Sequence, residues 1–92
     1  MNNTLVKGLQ LLEVLSARDG AAGISELAAD LQLGRSNVHR LLQALVELGY
    51  VVKDGERGSY RASLKIWELG ARALHRLDFR EAAAPAMRQL LA

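Results

Sequence analysis

The chain has 92 residues, half of them hydrophobic, with a formal net charge of +2 and no cysteine. That length suits one small domain, or one domain plus the start of another, and the apolar content is enough for a core without metal or disulfide support. The absent cysteines exclude a disulfide framework and a Cys-based zinc site, His39 and His75 are too far apart to suggest a ligand pair, and no run approaches the roughly 20 apolar residues of a membrane span.

In chain order, Thr4 or Asn3 can cap a first helix over about Leu5–Ala17, which ends before Asp19-Gly20. Leu5, Leu9 and Leu12 share one face, and Leu11, Val14 and Leu15 widen it beyond a single stripe. So broad an apolar surface exceeds what one small domain covers and points to a partner. Gly20-Ala-Ala-Gly23 reads as a loop. Ile24 forms a short strand before Ser25 caps a second helix, with Glu26 in its first turn and Leu27, Ala28 and Leu31 inside. Leu33-Gly34 makes a turn in which glycine admits positive φ. The third helix runs over about Ser36–Leu48 and stops at Gly49. A short helix, a Gly-containing turn and a second amphipathic helix are the order of a helix-turn-helix.

Tyr50–Asp54 and Ser59–Ala62 then flank Gly55-Glu-Arg-Gly58, the pattern of a β-hairpin. The expected fold is mainly α with a small β-hairpin, a winged helix-turn-helix over residues 1–62. From Ser63 the helical period returns as a linker helix over residues 63–77. Leu64, Trp67, Ala71 and Leu74 form one apolar stripe, and Ile66, Leu69, Ala73 and Leu77 form another, so this helix bridges two bodies. Asp78 and Glu81 can cap a further turn, and Pro85 suits the start of one more helix carrying Met87, Leu90 and Leu91. The apolar pattern runs on to Ala92, which predicts that residues 78–92 open a further domain of a longer protein.

The third helix carries the functional expectation. Val38, Leu41, Leu42 and Leu45 recur at core spacing. Arg35, Ser36, Asn37, His39, Arg40 and Gln43 fall on the other side, mostly in the first two turns. The N-terminal half of a recognition helix is what reaches base edges. Arg can donate two hydrogen bonds to guanine, and Asn or Gln can pair with adenine. Ser36 and the free N–H groups of the first turn suit a phosphate, although helix capping would also account for Ser36. Arg40 has a second option, an inward pair with Glu47 or Asp30.

On the hairpin, Lys53, Arg57 and Arg61 would meet phosphate or the minor groove; the alternative is a solubilising loop, since Asp54 and Glu56 offset the charge. Bulk charge does not decide the matter. Residues 1–50 carry four Lys/Arg against five Asp/Glu and residues 51–92 eight against five, so placement has to carry a nucleic-acid role. Trp67 reads as a core or dimer-interface residue, and His75 as part of a solvated face. His39 has no acid, nucleophile or metal partner near it, and no catalytic residue, metal ligand or cofactor site emerges. The start Met1-Asn-Asn-Thr4 lacks the features of a signal peptide, so a cytoplasmic protein without a membrane partner is expected. A winged helix used for protein–protein contact is the alternative that the modest charge allows.

These segments together resemble the N-terminal domain of the IclR family of bacterial transcription regulators. The resemblance rests on Gly8-Leu-Gln-Leu-Leu-Glu-Val-Leu15, Ile24-Ser-Glu-Leu-Ala28, Leu33-Gly-Arg-Ser-Asn-Val-His-Arg-Leu-Leu42, Leu45-Val-Glu-Leu-Gly-Tyr-Val51, and Tyr60-Arg61 followed by Leu69-Gly70. It implies a DNA-binding domain for a double-stranded operator, joined by the linker helix to a larger C-terminal domain that binds a small-molecule effector. It also implies homodimers, often paired into tetramers, that associate through the first and linker helices. Leu5, Leu9, Leu11, Trp67 and Leu74 would then form the dimer interface. Two places depart from the family pattern. Gly34-Arg35 stands where a Pro-Lys or similar pair is common, and Ala62-Ser63 stands where Leu-Gly is usual, which bears on where the linker helix starts.

Overall fold

Asn2 starts the chain's first helix, not Asn3 or Thr4. In the computed structural model, which describes residues 2–55 and 58–76, Asn2 Oδ1 accepts a hydrogen bond from the Leu5 N–H at 3.0 Å and caps α1 (Asn3–Ala17). There follow β1 (Ala22–Gly23), α2 (Ile24–Leu31), α3 (Arg35–Leu48), β2 (Val51–Asp54), β3 (Ser59–Ala62) and α4 (Leu64–Arg76). The four helices expected before residue 78 and the hairpin strands are therefore present. Arg57, Leu77 and the expected start of a further domain at 78–92, with Asp78, Glu81, Pro85, Met87, Leu90 and Leu91, lie outside the described residues.

The sheet is larger than a hairpin. β1 pairs antiparallel with β3, Ala22 opposite Tyr60 and Gly23 opposite Ser59, giving three strands in the order β1-β3-β2. The expected strand residue Ile24 instead opens α2. Gly23 is the N-cap residue of that helix rather than Ser25, and its N–H donates to Glu26 Oε1 at 3.5 Å. Two small residues have little strand preference of their own; β3, already paired with β2 on its far side, offers the ladder that Ala22 and Gly23 complete.

One core joins α1, α2, α3 and the sheet. Leu11 and Leu15 of α1, Leu27 and Ala28 of α2, Val38, Leu41 and Leu42 of α3, and Ala22, Val51 and Tyr60 of the sheet are buried against one another. Each fully buried aliphatic side chain contributes about 1.5–3 kcal/mol relative to exposure. Leu11 is completely buried in this cluster, so it is removed from the dimer surface expected of it. A helix face this wide splits its apolar residues: Leu11 and Leu15 turn inward, Leu5 and Leu9 stay out. Arg18, just past α1, forms ion pairs with Glu26 and Asp30 of α2 and ties the two helices at their polar rim.

The turn of the helix-turn-helix is built differently from the expectation. Gly34 has an ordinary extended backbone, φ −69° and ψ 150°, and serves as the N-cap residue of α3. The left-handed residue is Gln32, at φ 56° and ψ 44°. Its N–H and that of Leu33 close onto the carbonyls of Ala28 and Ala29, the double closure that ends a helix with one residue in the left-handed region. A non-glycine residue there costs about 1–2 kcal/mol. Gln32→Gly should therefore stabilise the domain, less the entropy glycine adds to the unfolded chain, for a net gain of up to about 1 kcal/mol and a rise in Tm of a few °C. Thermal unfolding followed by circular dichroism checks this; a fall in Tm would contradict it.

Candidate nucleic-acid interface

With Val38, Leu41 and Leu42 buried, the helical period leaves the opposite face of α3 in solvent. Ser36, His39, Arg40 and Gln43 are exposed on it, and Arg35 is exposed beside it as the first residue of the helix. Asn37 is half-buried, turned partway toward the domain, so it sits less openly than the other five. Because Gly34 is the N-cap residue and makes no side-chain cap, and the first turn holds no acidic residue, the N–H groups at the start of α3 have no side-chain acceptor. They point outward beside Arg35 with the positive end of the helix dipole. Ser36 is not the cap, so capping no longer accounts for it.

Two shallow grooves share this face. Arg35, Ser36, His39 and Arg40 line the first together with Ile24 at the start of α2. His39 and Gln43 line the second together with Val46, Glu47, Lys53 and Tyr60, so it lies between α3 and the sheet. His39 is common to both, which makes them one continuous surface from the N-terminus of α3 to the wing.

The strand register separates the two basic hairpin residues within the described range. Val51 lies opposite Ala62 and Lys53 opposite Tyr60, so these four side chains share the face of the sheet that bears the buried Val51 and Tyr60. Lys53 emerges at the outer end of that face, beside His39 and Gln43. Arg61 lies opposite Val52 on the other face, with its Nε 3.7 Å from Asp54 Oδ2. Lys53 therefore joins the surface of α3, and Arg61 does not line either groove.

Charge pairing leaves the surface positive. Among the described residues, the ion pairs are Arg18 with Glu26, Arg18 with Asp30 and Arg61 with Asp54. Asp30, one option for an inward-turning Arg40, is taken by Arg18. Arg35, Arg40 and Lys53 are in no ion pair among the described residues, and no group of acidic, Cys or His side chains there could hold a metal ion. Ile24, Val46 and Glu47 line the surface although sequence reasoning did not select them. The helical period alone would have placed Val46 and Glu47, three and four residues after Gln43, beside it.

Large apolar side chains are also exposed on α1 and on α4. Leu5 and Leu9 of α1 are 61% and 52% exposed, and Trp67 and Leu74 of α4 are 73% and 40% exposed. Leu64 and Leu69 join them, and no side chain of α4 is buried. Leu9, Leu12, Glu13, Ser16 and Ala17 of α1 line a shallow, mostly apolar depression closed on one side by Ile66 of α4. No helix of the described residues is long and apolar enough to cross a membrane.

The family profile described as the IclR helix-turn-helix domain matches residues 4–55. The chain is 38% identical over 88 residues to the HTH-type transcriptional regulator KdgR of Escherichia coli K12, covering 96% of this chain and 33% of that protein. It is 37% identical over 89 residues to the DNA-binding transcriptional repressor YiaJ of the same organism, covering 97% of this chain and 32% of that protein. The crystal structure of an IclR family transcriptional regulator from Brucella abortus superposes with a TM-score of 0.80 at 32% identity, over 98% of this chain and 34% of that one. The chain thus spans about one third of the length of these relatives.

Proposed function

Because the chain belongs to the IclR family of winged helix-turn-helix transcriptional regulators, we propose that its outward α3 face reads the major groove of a double-stranded operator. The observation that carries this is the continuous surface of Arg35, Ser36, His39, Arg40 and Gln43 with Lys53 beside it, its arginines and lysine free of ion pairs among the described residues. Arg35 and Arg40 supply planar donors that match the two acceptors of guanine, and Gln43 matches adenine. Ser36 and the unoccupied N–H groups of the first turn take phosphate, which fixes the helix in register without reading sequence. Lys53 meets the backbone next to the groove. Arg61, held by Asp54 on the far side of the sheet, contributes less, and Asn37 adds a contact only if its half-buried amide turns outward.

Two such domains pair through Leu5, Leu9, Trp67 and Leu74, with Leu64 and Leu69 enlarging the surface. Burial of these large apolar groups is the main favourable term. A homodimer presents two recognition helices to half-sites one helical turn or more apart, and further pairing into tetramers belongs to longer chains of this family. A small-molecule effector acts through sequence beyond this domain. The protein works in the cytoplasm, where its operator is, and has no catalytic role of its own. The protein–protein alternative is not favoured, since the relatives are transcriptional regulators.

Fluorescence anisotropy with a duplex selected from a random pool tests the DNA reading at about 0.15 M salt, where non-specific binding is weak. The selected duplex should bind far more tightly than random DNA. Arg35→Ala should cost about 1–3 kcal/mol on it, roughly 5- to 150-fold, and less on random DNA. Equal affinity for selected and random duplexes would overturn the proposal. Dimerisation is tested by sedimentation velocity. Trp67→Asp places a charge on a side chain 73% exposed in the single chain, so circular dichroism should be unchanged while the dimer boundary moves to that of the monomer. A variant that stays dimeric would rule out this face.

A further inference from the structure

The linker helix α4 has no buried side chain, so its apolar residues do not anchor it in the core. Its first turn is instead wired to the C-terminal end of the recognition helix. The Ser63 N–H donates to the Tyr50 carbonyl at 2.9 Å, and Ser63 Oγ donates to the Gly49 carbonyl. The Lys65 N–H donates to Ser63 Oγ at 3.2 Å, so one hydroxyl both caps α4 and binds the residue that ends α3. Lys65 Nζ donates to the Leu48 carbonyl at 2.6 Å and lies 4.7 Å from the centre of the Tyr50 ring.

Each half of that last contact has a physical cause. The final carbonyls of α3 lack helical partners and form the negative end of its dipole, where a cation is favoured. The Tyr50 ring adds a second attraction for the same ammonium group. Gly49 takes the left-handed backbone at φ +90° that ends α3, and the Lys65 side chain passes directly over it: a Cβ built there would meet Lys65 Cδ at 3.5 Å and Nζ at 3.8 Å, ordinary contact distances. Leu48, Gly49 and Tyr50 are thus one end of a joint whose other end is Ser63 and Lys65.

We propose that Lys65 is a positioning residue that sets the angle between the recognition helix and the linker helix. Because α4 also carries exposed Trp67, Leu69 and Leu74, that angle determines how two recognition helices are spaced when two chains pair; this consequence rests on the DNA-binding and dimer readings above. Lys65 lines neither groove of the α3 surface, so its effect on DNA would come through geometry.

The absence of cysteine lets two be introduced cleanly, at exposed Ala44 on α3 and exposed Arg72 on α4. Spin labels on Ala44→Cys/Arg72→Cys protein, diluted with excess unlabelled chain, report the distance between the two helices within one chain by double electron–electron resonance. The distribution should be narrow with Lys65 present, broaden in Lys65→Ala, and narrow again in Lys65→Arg, whose guanidinium can also reach a carbonyl and stack on Tyr50. An unchanged width in Lys65→Ala would overturn the proposal, provided circular dichroism shows the variant folded; Tyr50→Leu, which removes the ring and keeps the lysine, should broaden the distribution less. The second arm uses duplexes carrying two half-sites with stepped spacers. The unmodified chain should prefer its best spacer by on the order of tenfold, and Lys65→Ala should flatten this to about twofold with single half-site affinity unchanged. A broadened distance with an intact spacer preference would overturn the link to spacing. Failure of the unmodified chain to bind any duplex would count against the DNA reading instead, and the distance arm would decide the joint by itself.

Discussion

Everything on the surface of this domain depends on the burial of one face of α3. Val38 and Leu42 are completely enclosed and Leu41 nearly so, against Leu11, Leu15 and Leu27 from the two preceding helices and Val51 from the sheet. A helix held on three sides in this way has one rotation about its axis. That rotation puts Ser36, His39, Arg40 and Gln43 outward as a set, because they occupy the complementary positions of the same period, while Arg35, on the Leu42 side of the helix, is exposed as its first residue. No polar or charged side chain is buried among the described residues, so the orientation is set by shape and apolar contact rather than by a buried ion pair.

Two local devices refine what that rotation sets up. Antiparallel register divides the wing, sending Lys53 to the α3 side with Tyr60 and leaving Arg61 with Asp54 on the other. At the rim, Arg18 engages both Glu26 and Asp30, so the acidic groups of α2 are occupied within the domain and do not draw Arg40 away from solvent. The positive character of the outward face therefore arises from pairing and placement, with a net charge of only +2 on the whole chain. The C-terminal end of α3 is equally specified, through Gly49, Tyr50, Ser63 and Lys65.

Much of this was legible in the amino-acid sequence. Leucine and valine spacing identified α1–α4, the helices of the described residues, and the inner face of α3, and the Gly-bracketed hairpin identified the wing. The family resemblance carried by Val38-His-Arg-Leu-Leu42 and Leu48-Gly-Tyr50 agrees with the profile match over residues 4–55. What escaped depends on contacts between distant segments. Ala22 and Gly23 have no strand character until β3 lies beside them. Leu11 and Leu9 look alike along α1 until the core closes over one and not the other. Gly34 looked like the left-handed turn residue, yet the helix-ending hydrogen bonds fall two residues earlier and place Gln32 there. Arg18 and Lys65 are ordinary surface cations in sequence; only the fold brings carboxylates to one and a helix terminus to the other.

Titrating isotopically labelled protein with an operator duplex, and following its amide resonances, would show whether the outward face of α3 together with Lys53 is the surface that meets DNA. The largest shifts should fall at Arg35, Ser36, His39, Arg40, Gln43 and Lys53, with small ones at Arg61 and at the exposed apolar residues Leu5, Leu9 and Trp67. Shifts centred on α1 and α4, with the α3 face unmoved, would contradict it.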